Sequence, residues 1–173
     1  MRACLKQKGA ERLPSTRNTK LARTVRQEIN RAVNELYRDH AGSQIAFEQL
    51  NVATMRFKAR RMNAYLYASN LAHLPKQLAW GAAKRGVRAT HVKSAYTSQE
   101  CPQCHFVART NRPEQQTFCC GVCGWQAHAD HNAAINIAAR FGDCEIQATK
   151  TRQNLKALLD VRHQRWREET GWS

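Results

Sequence analysis

The chain has 173 residues, with 28 lysines and arginines against 13 aspartates and glutamates, and a formal net charge of +15 at pH 7. It contains no apolar run long enough to span a membrane, and the basic residues 1–20 lack the apolar core of a secretory signal. We therefore expect a cytoplasmic protein without membrane contact, and the charge excess favours a polyanionic partner, because cationic side chains displace counterions from phosphates.

The first third of the chain is predicted to contain an arm, a helix and a strand. Residues 1–16 are basic and polar and are predicted to form a disordered arm. From Thr16 onward, apolar residues recur at helical spacing as far as Leu36, which predicts an α-helix. The short apolar run Ile45–Glu48 lies between turn-forming residues and is predicted to form a buried strand.

The middle of the chain continues this alternation. A long helical region is predicted from about Arg56 to Arg85, restarted at Pro75, because proline suits the first turn of a helix. Gly86 is predicted to end the helix, and residues 87–92 are predicted to form a second strand. The order of elements indicates the α/β class.

This region also carries an unusual charge pattern, because no acidic residue occurs between Glu48 and Glu100. A solvated face that only keeps the protein soluble is the alternative, but solubility does not require charges of a single sign. An anionic membrane surface is a poorer partner, since the cations alternate with small polar residues rather than flank an apolar face. Eight cations are predicted to contact nucleic acid: Arg56, Lys58, Arg60, Arg61, Lys84, Arg85, Arg88 and Lys93.

Four of the seven cysteines form two Cys-x-x-Cys pairs separated by fifteen residues: Cys101, Cys104, Cys120 and Cys123. In a reducing compartment such pairs bind metal more often than they form disulfides. Their spacing predicts one Zn²⁺ held by four thiolates, a closed site that is structural rather than hydrolytic.

Other side chains compete for this predicted zinc site. Cys119 is a rival to Cys120, but only Cys120 leaves a two-residue gap to Cys123. His105 and His128 are substitute ligands of lower rank, because a histidine near a metal loop is more often a neighbour than a ligand. The cysteines without a partner at useful spacing are interpreted as free thiols: Cys4, Cys119 and Cys144.

Beyond the cysteines, a helix is predicted from about Asn132 to Arg140, with Asp130 at the point where the chain enters it. Gly142 is predicted to end this helix. Residues 151–169 form a basic, weakly amphipathic segment that is predicted to be partly helical.

Three motifs in sequence order carry a family resemblance: Y-T-S-Q-x-C-x-x-C over residues 96–104, F-x-C-x-x-C-G over 118–124, and D-x-N-A-A-x-N-I over 130–137. This order resembles the C-terminal half of the TnpB (OrfB) proteins of insertion sequences, which are related to type V CRISPR effector nucleases. The strand that ends in Glu48 resembles the second RuvC motif of that family. The resemblance covers roughly residues 17–140.

The resemblance implies that Glu48 and Asp130 occupy the second and third carboxylate positions of a RuvC-like nuclease that uses Mg²⁺. Two-metal phosphodiester cleavage needs clustered carboxylates, which explains the residue types. Taken alone, Glu48 would be an ordinary carboxylate at a strand end, and the Asp130 motif is what favours a catalytic role.

The first RuvC motif of the family is an aspartate on an initial strand, and residues 1–15 contain no aspartate. Asp39 lies at a predicted helix end and does not replace it. The expected fold is therefore α/β, a partial RuvC/RNase H-like fold that comprises the C-terminal part without the first strands and carries an inserted four-cysteine zinc ribbon. The expected organisation is a basic arm (1–16), a partial RuvC-like region (17–96), the zinc ribbon (97–127), the end of the RuvC-like region (128–141) and a basic tail (142–173).

Three functional hypotheses remain open at this point. The chain is a zinc-containing, nucleic-acid-binding TnpB-like fragment of an insertion sequence without independent cleavage, a subunit of a split RNA-guided DNA nuclease, or a nuclease-dead DNA-binding regulator. In the split case a second chain would supply the first strands. The expected partners are DNA and a guide RNA, with the protein at the nucleoid when it is bound to DNA. Structural Zn²⁺ is the expected cofactor, and Mg²⁺ is expected only if the nuclease site is completed.

Overall fold

The computed structural model describes residues 16–48, 58 and 72–172. In this part of the chain the helices are α1 (Thr16–Asp39), α2 (His73–Arg85), α3 (Ala129–Ala139), α4 (Cys144–Ala148) and α5 (Arg152–Thr170). The strands are β1 (Ile45–Glu48), β2 (Ala89–Val92), β3 (Thr117–Cys119) and β4 (Gln126–His128), and a 3-10 turn spans Arg109–Asn111. Within the described ranges, no helix combines the length and the apolar character that crossing a membrane requires.

The first helix and the first strand lie where the sequence predicts them. The burial predicted for the strand is wrong, because all four residues of β1 are half-buried, and in the described part of the chain only β2 pairs with it. Helix α1 packs against α2 and buries Val33 and Tyr37 in a small core with Leu78. The Tyr37 hydroxyl donates a hydrogen bond of 2.6 Å to the Leu78 carbonyl. A Cβ atom at Gly81 would lie 2.7 Å from the Tyr37 ring, so the close approach of the two helices depends on a glycine at this position.

Strands β1 and β2 pair in parallel, with Ile45 opposite Ala89 and Glu48 opposite Val92. Gly86 ends α2 as predicted, since it adopts a left-handed conformation with φ of 66°. The second strand begins two residues later than predicted. The reason is that the Val87 N–H caps α2 by donating to Ala82 O, and it is therefore not available to a strand ladder.

Helix α3 begins at Ala129, three residues before the predicted start. The His128 side chain accepts a hydrogen bond from the Asp130 N–H and caps the helix, which places Asp130 in the first turn. A carboxylate in the first turn is favourable, because the free N–H groups of a helix start carry partial positive charge.

Two features at the C-terminal end go beyond the prediction of a partly helical tail. The short helix α4 follows Gly142, and α5 is a nineteen-residue helix capped by Thr151. Leu155 and Leu159 of α5 are buried in a cluster with Val107 and Ile146. Helix α5 thus packs on the cysteine-containing region through an apolar stripe.

Some predictions fall on parts of the chain that are not described. The basic arm before Thr16 lies outside the described residues, and so does the portion of the predicted helical region that precedes residue 72, apart from residue 58.

Candidate metal centre and carboxylate cavity

Two short β-turns bring four cysteines together as the sequence predicts. The sulfur atoms of Cys101, Cys104, Cys120 and Cys123 all lie within 4.8 Å of one another. The Sγ–Sγ distance is 3.5 Å both between Cys101 and Cys123 and between Cys104 and Cys120. A tetrahedron with Zn–S bonds of about 2.3 Å has edges of about 3.8 Å, whereas a disulfide bond measures about 2.05 Å. The donor set therefore fits one tetrahedral metal ion such as zinc.

The competing ligands lie outside this cluster. Cys119 ends β3, and its sulfur is not among the four that converge. The His105 ring pairs with the Glu100 carboxylate at 3.1 Å, and His128 caps α3. The choice of Cys120 over Cys119 from the two-residue gap agrees with this geometry.

Without a cation, the thiols of the cluster have pKa values that are shifted in opposite directions. The Cys104 thiol donates a hydrogen bond to Cys101 and lowers the pKa of Cys101 to about 5. The same hydrogen bond raises the pKa of Cys104 far above its usual range, and burial raises the pKa of Cys123 to about 11. A bound divalent cation would displace these retained protons, so metal affinity should fall in acid.

The two cysteine turns are built alike from backbone hydrogen bonds. The Cys101 N–H donates to Phe106 O and the Cys120 N–H donates to Trp125 O, at 2.9 and 2.8 Å. Gly124 closes the second turn with φ of 75°, and His105 takes the corresponding left-handed conformation in the first, with φ of 60°. The sequence indicates the glycine, but the histidine gives no sign of this strained role.

Asn111 joins the two turns, a role that the sequence does not reveal. Its side chain is buried, donates to the carbonyls of Gln99 and Phe106, and accepts from the Gly121 N–H. It lies between the two cysteine pairs at no regular spacing, so the sequence contains no signal that could have found it.

The asparagines of the D-x-N-A-A-x-N-I motif attach α3 to the cysteine region. Asn132 donates to Glu100 O at 3.0 Å and accepts from the Trp125 indole N–H at 3.2 Å. Asn136 donates to the carbonyls of Thr97 and Glu100, each at 2.8 Å. Both side chains are buried, which indicates that their role in the motif is to hold the metal region against the helix.

Arg140 continues this helix face one turn further along. It is 1% exposed, and its guanidinium donates to the Glu100 carboxylate at 2.6 Å. It also donates to the backbone carbonyls of Lys93 and Ala95. Buried charges are stable only when paired and hydrogen-bonded, so this pair links β2, the first cysteine turn and α3.

We predict that Arg140→Met lowers the free energy of unfolding by about 3–5 kcal/mol, because it removes the guanidinium from the buried Glu100 carboxylate and leaves only the His105 ring beside it. The measurement is urea unfolding followed by circular dichroism. Arg165→Met removes the same side chain from an exposed position of α5 and serves as the matched control, with an expected change within about 0.5 kcal/mol. Equal destabilisation by the two variants would contradict the prediction.

The second candidate site is a cavity of about 340 Å³ at the end of β1. Glu48 lines it together with residues of α2 and α3, among them Ala134, Ile137 and Ala138. Asp130 precedes these three residues by four, seven and eight positions, which places it on the same face of α3. It is exposed and lies one helical turn before Ala134, about 6 Å along the helix axis. The arrangement is compatible with a carboxylate pair at this cavity, and the pairing stays a prediction.

The sequence places Asp39 at a helix end, which excludes it as a replacement for the first aspartate. It is indeed the last residue of α1, and its exposed carboxylate accepts from Arg38 Nε at 3.1 Å.

The cations predicted to contact nucleic acid differ in their surroundings. Lys58 is exposed, and the three arginines of its group, Arg56, Arg60 and Arg61, lie outside the described residues. Lys93 is partly buried, and its ammonium donates hydrogen bonds to the carbonyls of Gln147 and Thr149. These two carbonyl acceptors lie at the C-terminal end of α4. The charge of Lys93 therefore has a structural role that the sequence does not reveal.

The other three cations, on α2 and just beyond it, are exposed and lie over aromatic rings. Lys84 lies over Trp80, Arg85 over Tyr37 and Arg88 over Phe141, at 5.3, 5.1 and 5.9 Å from the ring centroids. These contacts leave the charged groups at the surface, and their contact with nucleic acid stays a prediction.

Comparison with known proteins gives a consistent result. Residues 72–137 match the family described as Cas12f1-like, TNB domain. The chain is 38% identical over 65 residues to the CRISPR-associated endodeoxyribonuclease Cas12f1 of Sulfoacidibacillus thermotolerans, a match that covers 38% of this chain and 15% of the relative. It is 44% identical over 64 residues to InsQ of Escherichia coli K12, with 37% of this chain and 16% of InsQ covered.

Solved structures agree with these matches. The fold is similar to that of a Cas12f1–sgRNA–target DNA complex, with a TM-score of 0.53 and 20% identity over 69% of this chain and 34% of the other. It is also similar to the mini-RNA-guided endonuclease CRISPR-Cas_phi3, with a TM-score of 0.53 and 26% identity over 72% of this chain and 20% of the other. The predicted resemblance to the TnpB-related type V effector family is thus confirmed, over a region that spans a minor part of each relative.

Proposed function

We propose that the chain is a nucleic-acid-binding protein of an insertion sequence that carries part of a TnpB-like RuvC nuclease and does not cleave DNA on its own. The observation that carries the proposal is the double role of α3. One face of this helix holds the four-cysteine region through Asn132 and Asn136, and another face lines the cavity of Glu48. A single helix thereby joins the two parts that the resemblance predicts.

The four cysteines would hold zinc in a structural role, since all four coordination positions are filled by protein. Glu48 and Asp130 would hold Mg²⁺, because carboxylate oxygens are the ligands that this hard cation prefers. When bound, Mg²⁺ supplies activation of water and stabilisation of the leaving oxygen. The chain itself contributes the two carboxylates and the apolar wall formed by Ala134 and Ile137.

A third carboxylate is the element on which cleavage depends. No aspartate occurs before Asp39 in the sequence, and Asp39 is paired at the surface with Arg38. Two carboxylates compensate less of the charge of two divalent ions than three do, so we expect the 173-residue chain alone to bind nucleic acid without cutting it.

The alternative is a subunit of a split RNA-guided nuclease, and one observation favours it. Among the described residues, β1 is paired only with β2, in a two-stranded parallel sheet. Parallel sheets rarely occur with so few strands, because their stability depends on burial on both faces and on further strands. A second chain that adds strands to this sheet would also supply the third carboxylate.

Nucleic-acid binding is the direct test of the proposal. We predict affinity that falls steeply with salt, because phosphate contacts release condensed counterions. Replacement of Arg56, Lys58, Arg60 and Arg61 by glutamine should reduce the slope of log K against log salt by roughly 3–4. Fluorescence anisotropy of a labelled oligonucleotide between low and high salt provides the measurement.

A control variant with the same loss of charge separates specific contacts from net charge. It replaces four exposed cations outside the predicted surface: Arg109, Lys150, Arg165 and Arg167. Its slope should stay near that of the wild type. Absence of binding by the wild type at low salt, or binding that does not depend on salt, would refute the proposal.

A further inference from the structure

Trp80 has a position that the fold does not explain. It lies in the middle of α2, and 56% of its surface is exposed. The buried residues of this helix are Leu78, Gly81 and Ala82, which face the core with α1. Trp80 points to a different side of the helix, so its large aromatic surface is not buried in this core.

Two lysines flank this ring on the same side of α2. Lys76 and Lys84 lie four residues before and four residues after Trp80, one helical turn in either direction. Their Cα atoms are separated by about 12 Å along the helix axis. The Lys84 ammonium lies 5.3 Å from the centroid of the indole ring, a cation–π contact that keeps the charge next to the aromatic face.

The exposed ring forms one wall of a groove between α1 and α2. The groove has a volume of about 520 Å³ and is lined by Asn30, Asn34, Lys76, Gln77 and Trp80. The Asn30 amide oxygen is hydrogen-bonded to the His73 ring at 2.9 Å, and this bond between α1 and α2 fixes the position of Asn30 on the α1 side of the groove. The lining thus combines one aromatic face with amide groups and a cation, and it contains no carboxylate.

The electrostatic surroundings of the groove are positive. Burial together with the charges of Arg26 and Lys76 lowers the pKa of His73, which places Arg26 near the same end of the groove. The acidic residues of α1 in this stretch, Glu28 and Glu35, are instead paired with Arg31. These three residues lie about 100–160° around the helix from Asn30, on the side away from the groove.

We propose that this groove binds single-stranded nucleic acid, with an unpaired base stacked on Trp80 and with Lys76 and Lys84 in contact with the flanking phosphates. An indole face can stack on a base only when that face of the base is uncovered, which selects single strands over duplex. The amides of Asn34 and Gln77, which also line the groove, can hydrogen-bond to polar groups of a base. The inference rests on the proposed function, since it specifies how the chain holds nucleic acid.

The experiment compares Trp80→Leu, Trp80→Phe and Trp172→Leu with the wild type. The probes are a labelled homothymidine oligonucleotide of about 12 nucleotides and a duplex of the same length, with anisotropy measured at one fixed salt concentration. Trp172 is the matched control, because it is 46% exposed at the far end of α5. Both positions are at the surface, and equal urea midpoints would establish that the three variants fold.

Trp80→Leu is expected to weaken binding of the single strand about tenfold or more, and Trp80→Phe should restore most of the loss, because phenylalanine also stacks. Duplex affinity should change less than twofold, and Trp172→Leu should leave both affinities unchanged. Equal affinity of Trp80→Leu and the wild type for the single strand would overturn the inference and leave the proposed function intact. An equal loss for single strand and duplex would refute stacking, whereas a wild type that binds neither probe would refute the proposed function itself.

Discussion

Cys120→Ser is expected to release the metal from the four-cysteine centre and to unfold the region around it, whereas Cys119→Ser should retain a full complement of about one zinc per chain. Cys120 is 2% exposed and its sulfur belongs to the cluster, while Cys119 lies one residue away and outside it. Binding of a structural zinc ion contributes about 10–16 kcal/mol of apparent free energy in small zinc domains, so loss of one thiolate should have a large effect. Metal analysis by mass spectrometry after gel filtration provides the stoichiometry.

The effect should extend to the C-terminal helix. His163 of α5 is hydrogen-bonded to Cys104 O at 2.7 Å, and Trp166 packs against the cysteine cluster. In Cys120→Ser the loosened turns should release α5, which a change in the near-ultraviolet circular dichroism would report. The outcome that contradicts the assignment is the reverse pattern, in which Cys119→Ser loses the metal and Cys120→Ser keeps it. Wild-type protein purified without zinc would contradict it as well.

The elements that the sequence predicts correctly are those that depend on local patterns. The cysteine pairs converge because a two-residue gap fits one turn, and Gly86 ends α2 because a left-handed residue there carries little steric cost. The apolar spacing of α1 follows from the face it buries against α2, including Val33 and Tyr37. Each of these features is encoded within a few residues.

The features that the sequence does not predict depend on contacts between distant residues. Arg140 hydrogen-bonds to carbonyls and a carboxylate that are forty or more residues away in the sequence. Lys93 donates to carbonyls at the end of α4 that are more than fifty residues away. A lone arginine or lysine in a basic chain looks like one more surface cation. Only the fold shows that one of them is buried in an ion pair and that the other bonds the end of a helix.

The same distinction applies to the carboxylates. Glu48 and Asp130 are separated by 81 residues, and no local pattern relates them. The resemblance to the TnpB family is what pairs them, and the position of α3 at the cavity is compatible with this pairing. A measurement of DNA cleavage is therefore the test of their joint role in catalysis.

The 173-residue chain is expected to show no Mg²⁺-dependent cleavage of single- or double-stranded DNA. A polypeptide that carries the first aspartate strands of a TnpB relative, added in trans, is expected to restore cleavage. The reason is electrostatic, because a third carboxylate helps to offset the charge of two divalent ions and to fix their positions. Release of a labelled fragment from a DNA substrate, with and without Mg²⁺, is the measurement.

In the complemented reaction, Glu48→Gln and Asp130→Asn should each reduce the cleavage rate by about a thousandfold, because each removes a negative charge that contributes several kcal/mol to metal binding and transition-state stabilisation. Glu114→Gln, an exposed carboxylate between the cysteine pairs, is the matched control and should cleave at the wild-type rate. If the lone wild-type chain cleaves DNA and Asp130→Asn does not, the site is complete without the third carboxylate, and the proposal of a partial nuclease is wrong. If the complemented chain cleaves equally well with and without Glu48 and Asp130, the catalytic carboxylates lie elsewhere, and the cavity at the end of β1 has no part in the reaction.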